Sequence, residues 1–164
     1  MKTNLLKITC LLAALLGLGG ATLQAASITN ADAAVTLNLA GSWVGGVPPG
    51  SGDVAVWDST VQNNLTKTLG ASASWGGIQF LNPGGLVTVG ADGNTLTLGA
   101  SGIDLSDATT NLTLSNPVIL GANQSWNVTN GQTLTVGGII SGAGWLTLNG
   151  GGNGGTIRGS AGSD

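Results

Sequence analysis

The sequence predicts an all-β fold, one chain wound into a parallel β-solenoid, and three observations carry that prediction. Apolar-Thr-apolar segments recur at Leu86-Val87-Thr88-Val89, Leu96-Thr97-Leu98, Leu112-Thr113-Leu114, Leu134-Thr135-Val136 and Leu146-Thr147-Leu148. Alternation at period two puts Leu and Val on one face and Thr on the other, the pattern of a half-buried strand. Gly, Asn, Asp or Ser bounds each segment and resets the pattern. Like residues also return at a near-constant offset: Leu112 to Leu134 and Leu96 to Val118 are 22 residues apart, Ile103 to Trp126 is 23 and Trp126 to Leu146 is 20. An offset of that size suits one coil of three short strands.

In chain order, Lys2 and Lys7 precede the apolar run Ile8 to Leu18, which is followed by Gly19-Gly20-Ala21-Thr22 and the small residues Ala25-Ala26-Ser27. This is the layout of a secretory signal peptide over residues 1–25, cleaved near Ala25 or Ala26, with a non-cleaved anchor as the alternative. The run is shorter than the about 20 residues of a membrane span, and no second one follows. The expectation is export to the extracellular space or the outer-membrane surface, with no transmembrane segment in the mature chain. Cys10 leaves with the leader, so disulfides are not expected.

Residues 26–85 read as an N-terminal cap, a Trp/Pro/Gly loop and the first coils. Ala34 to Leu39 is the first strand expected, and the span Gly41 to Asp53, with two prolines and five glycines, is a loop. Val54 to Trp57, Leu65 to Leu69 and Gly77 to Leu81 follow as strands, the last ended by Asn82-Pro83-Gly84-Gly85. Residues 86–158 form the regular repeats. Beyond Leu86-Val89, strands are expected at Thr95–Leu98, Ile103–Leu105, Asn111–Leu114, Val118–Leu120, Ser125–Val128, Thr133–Val136, Ile139-Ile140, Trp145–Leu148 and Thr156-Ile157. Turns such as Ala91-Asp92-Gly93-Asn94 and Thr129-Asn130-Gly131-Gln132 carry pairs that accept positive φ. Residues 159–164 are a polar tail. The same turn pairs favour antiparallel hairpins, so a β-sandwich is the alternative architecture; strands of three or four residues and the stacking offset favour the solenoid.

Two segments resemble a known family. Trp43-Val44-Gly45-Gly46-Val47-Pro48-Pro49-Gly50-Ser51-Gly52-Asp53-Val54-Ala55-Val56-Trp57 is similar to the Trp-Gly-Pro-Asp-Ala-aromatic block of exported proteins with autotransporter-associated β-strand repeats. Ile139-Ile140-Ser141-Gly142-Ala143-Gly144-Trp145-Leu146-Thr147-Leu148-Asn149-Gly150, followed by Gly154-Gly155-Thr156-Ile157, is similar to the passenger repeat itself, without the Tyr of its second block. The resemblance implies a right-handed single-stranded parallel β-helix at or beyond the outer membrane of a Gram-negative-type bacterium, serving as a stalk or adhesin-like surface, and it supplies no catalytic residues. Family members are usually much longer and end in a transporter barrel or sorting tail, which leaves a truncated chain, a fragment and a short free-standing relative all open.

The composition narrows the chemistry. Removing the leader takes the net charge from −3 to −5, with only Lys67 and Arg158 as cations, so no basic patch exists for nucleic acid or anionic membranes. The chain beyond residue 25 contains no His, Cys, Glu or Tyr. Triads, zinc sites and histidine bases are therefore ruled out, and no acid pair of the kind polysaccharide hydrolases use stands in a recognisable block. The expectation is a protein without catalysis or cofactor. Asp92, Asp104 and Asp107 are the candidate Ca²⁺ ligands, although outward and turn aspartates ordinarily serve solubility and backbone hydrogen bonds. Trp43, Trp57 and Trp75 are candidates for a carbohydrate-stacking platform; against this, Trp43 and Trp57 suit a clasp on the N-terminal loop, while Trp126 and Trp145 start strands and suit filling the coil. Sequons at Asn64, Asn111, Asn123 and Asn127 follow from the Asn- and Thr-rich composition. Partners implied are surface glycans, or other copies meeting through the solenoid ends.

Overall fold

A computed structural model describes residues 25–129, 131–150 and 155–159. The signal-peptide and polar-tail assignments thus lie outside the described residues apart from Ala25 and Gly159. The strands are β1 (Ser27–Thr29), β2 (Val54–Trp57), β3 (Thr66–Thr68), β4 (Ala73–Phe80), β5 (Val87–Gly90), β6 (Leu96–Leu105), β7 (Leu112–Leu114), β8 (Val118–Leu120), β9 (Gln124–Val128), β10 (Thr133–Val136), β11 (Ile140–Ser141), β12 (Leu146–Gly150) and β13 (Thr156–Gly159). They stack as a β-solenoid of about six turns. β3, β5, β7, β10 and β13 form one wall in that spatial order, and the remaining strands form a second, bent one.

Every strand pairing in both walls is parallel. The single antiparallel bridge among the described residues joins Asn30 to Trp43 in the cap. A sandwich of hairpins would show the reverse, which sets that alternative aside. Parallel neighbours require a long connection between them, and one coil of the solenoid provides it.

The predicted offsets become physical columns. Leu112 lies beside Leu134, Leu96 beside Val118 and Ile103 beside Trp126. Inward columns such as Val87–Leu112–Leu134–Ile157 and Ala55–Ile78–Ile103–Trp126 make one continuous core from Leu37 to Val136. The outward threonines align as well, Thr66 with Thr88, Thr113 and Thr135. Period-two alternation explains both sets at once: each Leu faces in while its Thr neighbour faces solvent.

Three strand assignments need correction. Ala34 to Leu39 is a turn. The Leu37 and Asn38 N–H groups donate to the Thr68 and Leu69 carbonyls, while Leu39 N–H folds back on Thr36, so this stretch closes the end of the coil instead of running along it. β1 comes earlier, at Ser27–Thr29, in register with Val54–Val56. Trp126 stacks on Leu148 and not on Leu146, because the Gln124 N–H to Trp145 carbonyl bond of 2.9 Å pins Leu146 beside Gln124. The last coil therefore keeps the 22-residue offset.

β6 unites two predicted strands, Thr95–Leu98 and Ile103–Leu105, through a bend at Gly102. Gly102 has φ +62°, and a Cβ there would collide with the Ser125 backbone carbonyl. Glycine is required on both counts. Before the bend β6 pairs with β8 and beyond it with β9, so one long strand is followed by two short ones.

Truncating an inward residue should cost far more than truncating its outward neighbour. Leu112→Ala should destabilise by about 2–5 kcal/mol and Thr113→Ala by no more than about 0.5 kcal/mol, read from urea midpoints. Similar losses at both positions would contradict the alternation.

Candidate functional site

The tryptophans proposed as a sugar platform are core. Trp43, Trp57 and Trp75 are 2%, 0% and 2% exposed. Their rings meet edge to face, with centroids 5.8 Å apart for Trp43 and Trp57 and 5.7 Å for Trp43 and Trp75, an arrangement that suits the ring quadrupoles. Trp43 Nε1 donates to the Leu37 carbonyl at 2.7 Å, while Trp57 Nε1 finds no partner among the described residues. No indole face is left for a ligand, so these three residues plug the first coils.

The carboxylates proposed for Ca²⁺ are not brought together. No group of three or more metal-ligating His, Cys, Asp or Glu side chains forms among the described residues. Asp104 shares a column with Gln79 and Asn127 and accepts from the Ser106 N–H at 2.9 Å. Asp107 lies exposed just past β6. Asp92 sits at another corner and staples rungs, accepting from the Gly70 N–H at 2.6 Å, Asn116 Nδ2 at 2.8 Å and the Asn94 N–H at 3.2 Å. Desolvation opposes its charge, but these donors outweigh it and hold its carboxyl below the usual carboxylate range.

Two charged groups that sequence reasoning left without a role hold the cap. Lys67 is 3% exposed and faces inward in line with Val89; its Nζ donates to the Ala33 carbonyl and, at 3.5 Å, to that of Ala31. Burial lowers the Lys67 pKa, and the nearby Asp32 charge opposes that shift. Asp32 accepts from the Asn64 N–H at 2.7 Å and from the Asn63 N–H and Nδ2 at 3.1 and 2.9 Å. The Asn64 N–H is the main reason its carboxyl lies far below the ordinary range; desolvation opposes this, and the remaining Asn63 and Asn64 donors assist it. A signal for Lys67 was present: Leu65, Lys67 and Leu69 share one parity, so a strand burying the leucines buries the lysine.

The surface carries shallow clefts. One of about 260 Å³ lies against β1, between Ile28, Val44 and Val47; another of about 260 Å³ is lined by Val35, Asn64, Thr66 and Lys67. A third, of about 420 Å³, runs over β9 and β12 and is lined by Ala100, Ser101, Asn123, Gln124, Ser125, Asn127, Trp145 and Thr147. Its Trp145 is 79% exposed, in contrast to the coil-filling role expected for it. Trp126, the other tryptophan assigned to the interior, is fully buried, and its Nε1 donates to Gln124 Oε1 at 2.9 Å. No family model, curated protein or solved structure matches this chain.

The depressed Asp32 pKa makes the latch acid-sensitive in one direction. Its contribution is complete above the ordinary carboxylate value of about 4 and is lost as pH falls towards the folded-state value. The stability advantage of the native chain over Asp32→Asn should therefore be largest near about pH 7 and shrink by about pH 3, measured as paired urea midpoints. A gap that does not change with pH would remove Asp32 from the latch.

Proposed function

We propose that this chain is a secreted or cell-surface structural segment, adhesin-like, of an autotransporter-type passenger, acting through rigid extended shape and not through catalysis. The observation that carries this reading is the in-register stacking of successive coils, each extending the same apolar columns inside and the same Thr rows outside. Each added coil lengthens the body by about 4.8 Å without altering its cross-section, which suits a stalk.

The block Trp43 to Trp57, the Gly-rich repeat around Trp145 and the leader-like residues 1–25 support the same reading. Within the first block, Trp43 and Trp57 pack against one another at the base of the coil, a structural use for residues on which the resemblance rests. Contact between copies through the solenoid ends belongs to this proposal too. On the last described coil, Ile139 and Leu148 are 59% and 55% exposed, and among the described residues β11 and β12 each pair on one side only. Such an edge accepts a further strand.

Expression of the whole chain in a Gram-negative host should give a product that begins near Ala26, lies outside the inner membrane and scatters X-rays as an elongated particle. A cytoplasmic product that retains residues 1–25 would sink the export half of the proposal. A compact particle would sink the stalk half.

A further inference from the structure

We infer that the groove over β9 and β12 is a binding site for an uncharged, pyranose-containing glycan, with Trp145 as its stacking platform. Three rows build it. On β12 and the residue before it, alternation turns Trp145, Thr147 and Asn149 outward, with Leu146 and Leu148 on the opposite face. Asn123, Ser125 and Asn127 form the row beneath in the same register; below it Ser101 lines the groove and Asp104 lies beside Asn127. Rows in a parallel sheet are about 4.8 Å apart, close to the span of one sugar ring.

The polar groups are pre-positioned by their neighbours. The Trp145 N–H donates to Asn123 Oδ1 at 2.9 Å, which fixes the residue carrying the indole and leaves the Asn123 amide NH₂ for a ligand. Asn149 Nδ2 donates to Asn127 Oδ1 at 2.8 Å, leaving the NH₂ of Asn127 and the oxygen of Asn149 for the same purpose. Hydroxyls come from Ser101, Ser125 and Thr147. One exposed indole flanked by amides and hydroxyls, with uncharged side chains lining the groove and the Asp104 carboxylate at its edge beside Asn127, matches a sugar with an apolar C–H face and an equatorial rim of hydroxyls. An acidic glycan would find no cation there. Bend and groove are linked, because Gly102 takes its positive φ against Ser125, the central residue of the middle row; a side chain at 102 would displace that row.

This site is independent of the export and stalk reading, since purified protein suffices to test it. Affinity electrophoresis in gels containing xyloglucan, β-glucan, galactomannan or dextran should show retardation by at least one of them. Trp145→Ala should weaken that interaction about tenfold or more and Asn127→Ala should weaken it measurably. Trp43, Trp57, Trp75 and Trp126 are all buried, so iodide quenching of the native protein reports on Trp145, and the bound polysaccharide should protect it. Because the Trp145 side chain is exposed, the variant should keep the native circular-dichroism spectrum and melting temperature. A native protein retarded by none of the four polysaccharides, or a folded Trp145→Ala variant retarded as strongly as the native chain, would overturn the assignment.

Discussion

The whole molecule depends on one constraint: strands from consecutive coils must lie side by side in a parallel ladder whose inward residues are apolar at every level. Main-chain hydrogen bonds between coils set the spacing, and the columns they align bury the side chains. Neither operates alone. A slip of one residue would keep many ladder bonds but would exchange Leu112 for Thr113 inside the coil, against Leu134 above. Register, burial and solubility are thus a single decision made repeatedly. Variation is absorbed where the pairing of β4 with β6 shifts register between Trp75 and Gly77, so that the offset grows at Ile78 and Ile103, and it returns to 22 residues between Leu96 and Val118.

A ladder of this kind has ends, and the first coil is closed by residues that no repeat supplies. Leu37 and Trp43 enter the core from the cap, and Asn30 Nδ2 donates to the Ser42 carbonyl at 2.8 Å. Lys67 occupies an inward position where later coils place Val89 and Leu114. It satisfies the Ala33 carbonyl, which a hydrocarbon side chain would leave without this donor. Asp32 then secures the same loop from outside through Asn63 and Asn64. The closure is polar at its rim and aromatic at its centre, so it shields the first inward column without presenting a strand edge over its whole width.

Legibility in the sequence followed the repeat. Leu112 with Leu134, Leu96 with Val118 and Ile103 with Trp126 were readable because alternation and offset both act on them. The cap was not readable. Asp32 meets Asn63 and Asn64 across 31 and 32 residues through contacts of no fixed period, and Ala34 to Leu39 has strand composition but is offered only the ends of two carbonyl rows at Thr68 and Leu69. The tryptophans divide along the same line. Trp145 precedes Leu146 and shares parity with Thr147, so its outward direction was available from alternation, whereas the burial of Trp43 comes only from tertiary packing. Composition suggested aromatic binding but could not tell which indole would be left outside.

The return of the offset to 22 residues has a consequence for how such a chain changes over generations. A duplication or deletion of one complete coil leaves every surviving column intact, with Leu above Leu, Thr above Thr and Asn127 beneath Asn149. Gain or loss of a few residues inside a strand has no such protection. Genetic events are therefore filtered by size: whole-coil changes pass as nearly neutral, while small ones survive only at corners such as Gly121-Ala122-Asn123. Length becomes an evolvable quantity that moves in steps, and any surface motif spread over adjacent coils is copied or lost together with them.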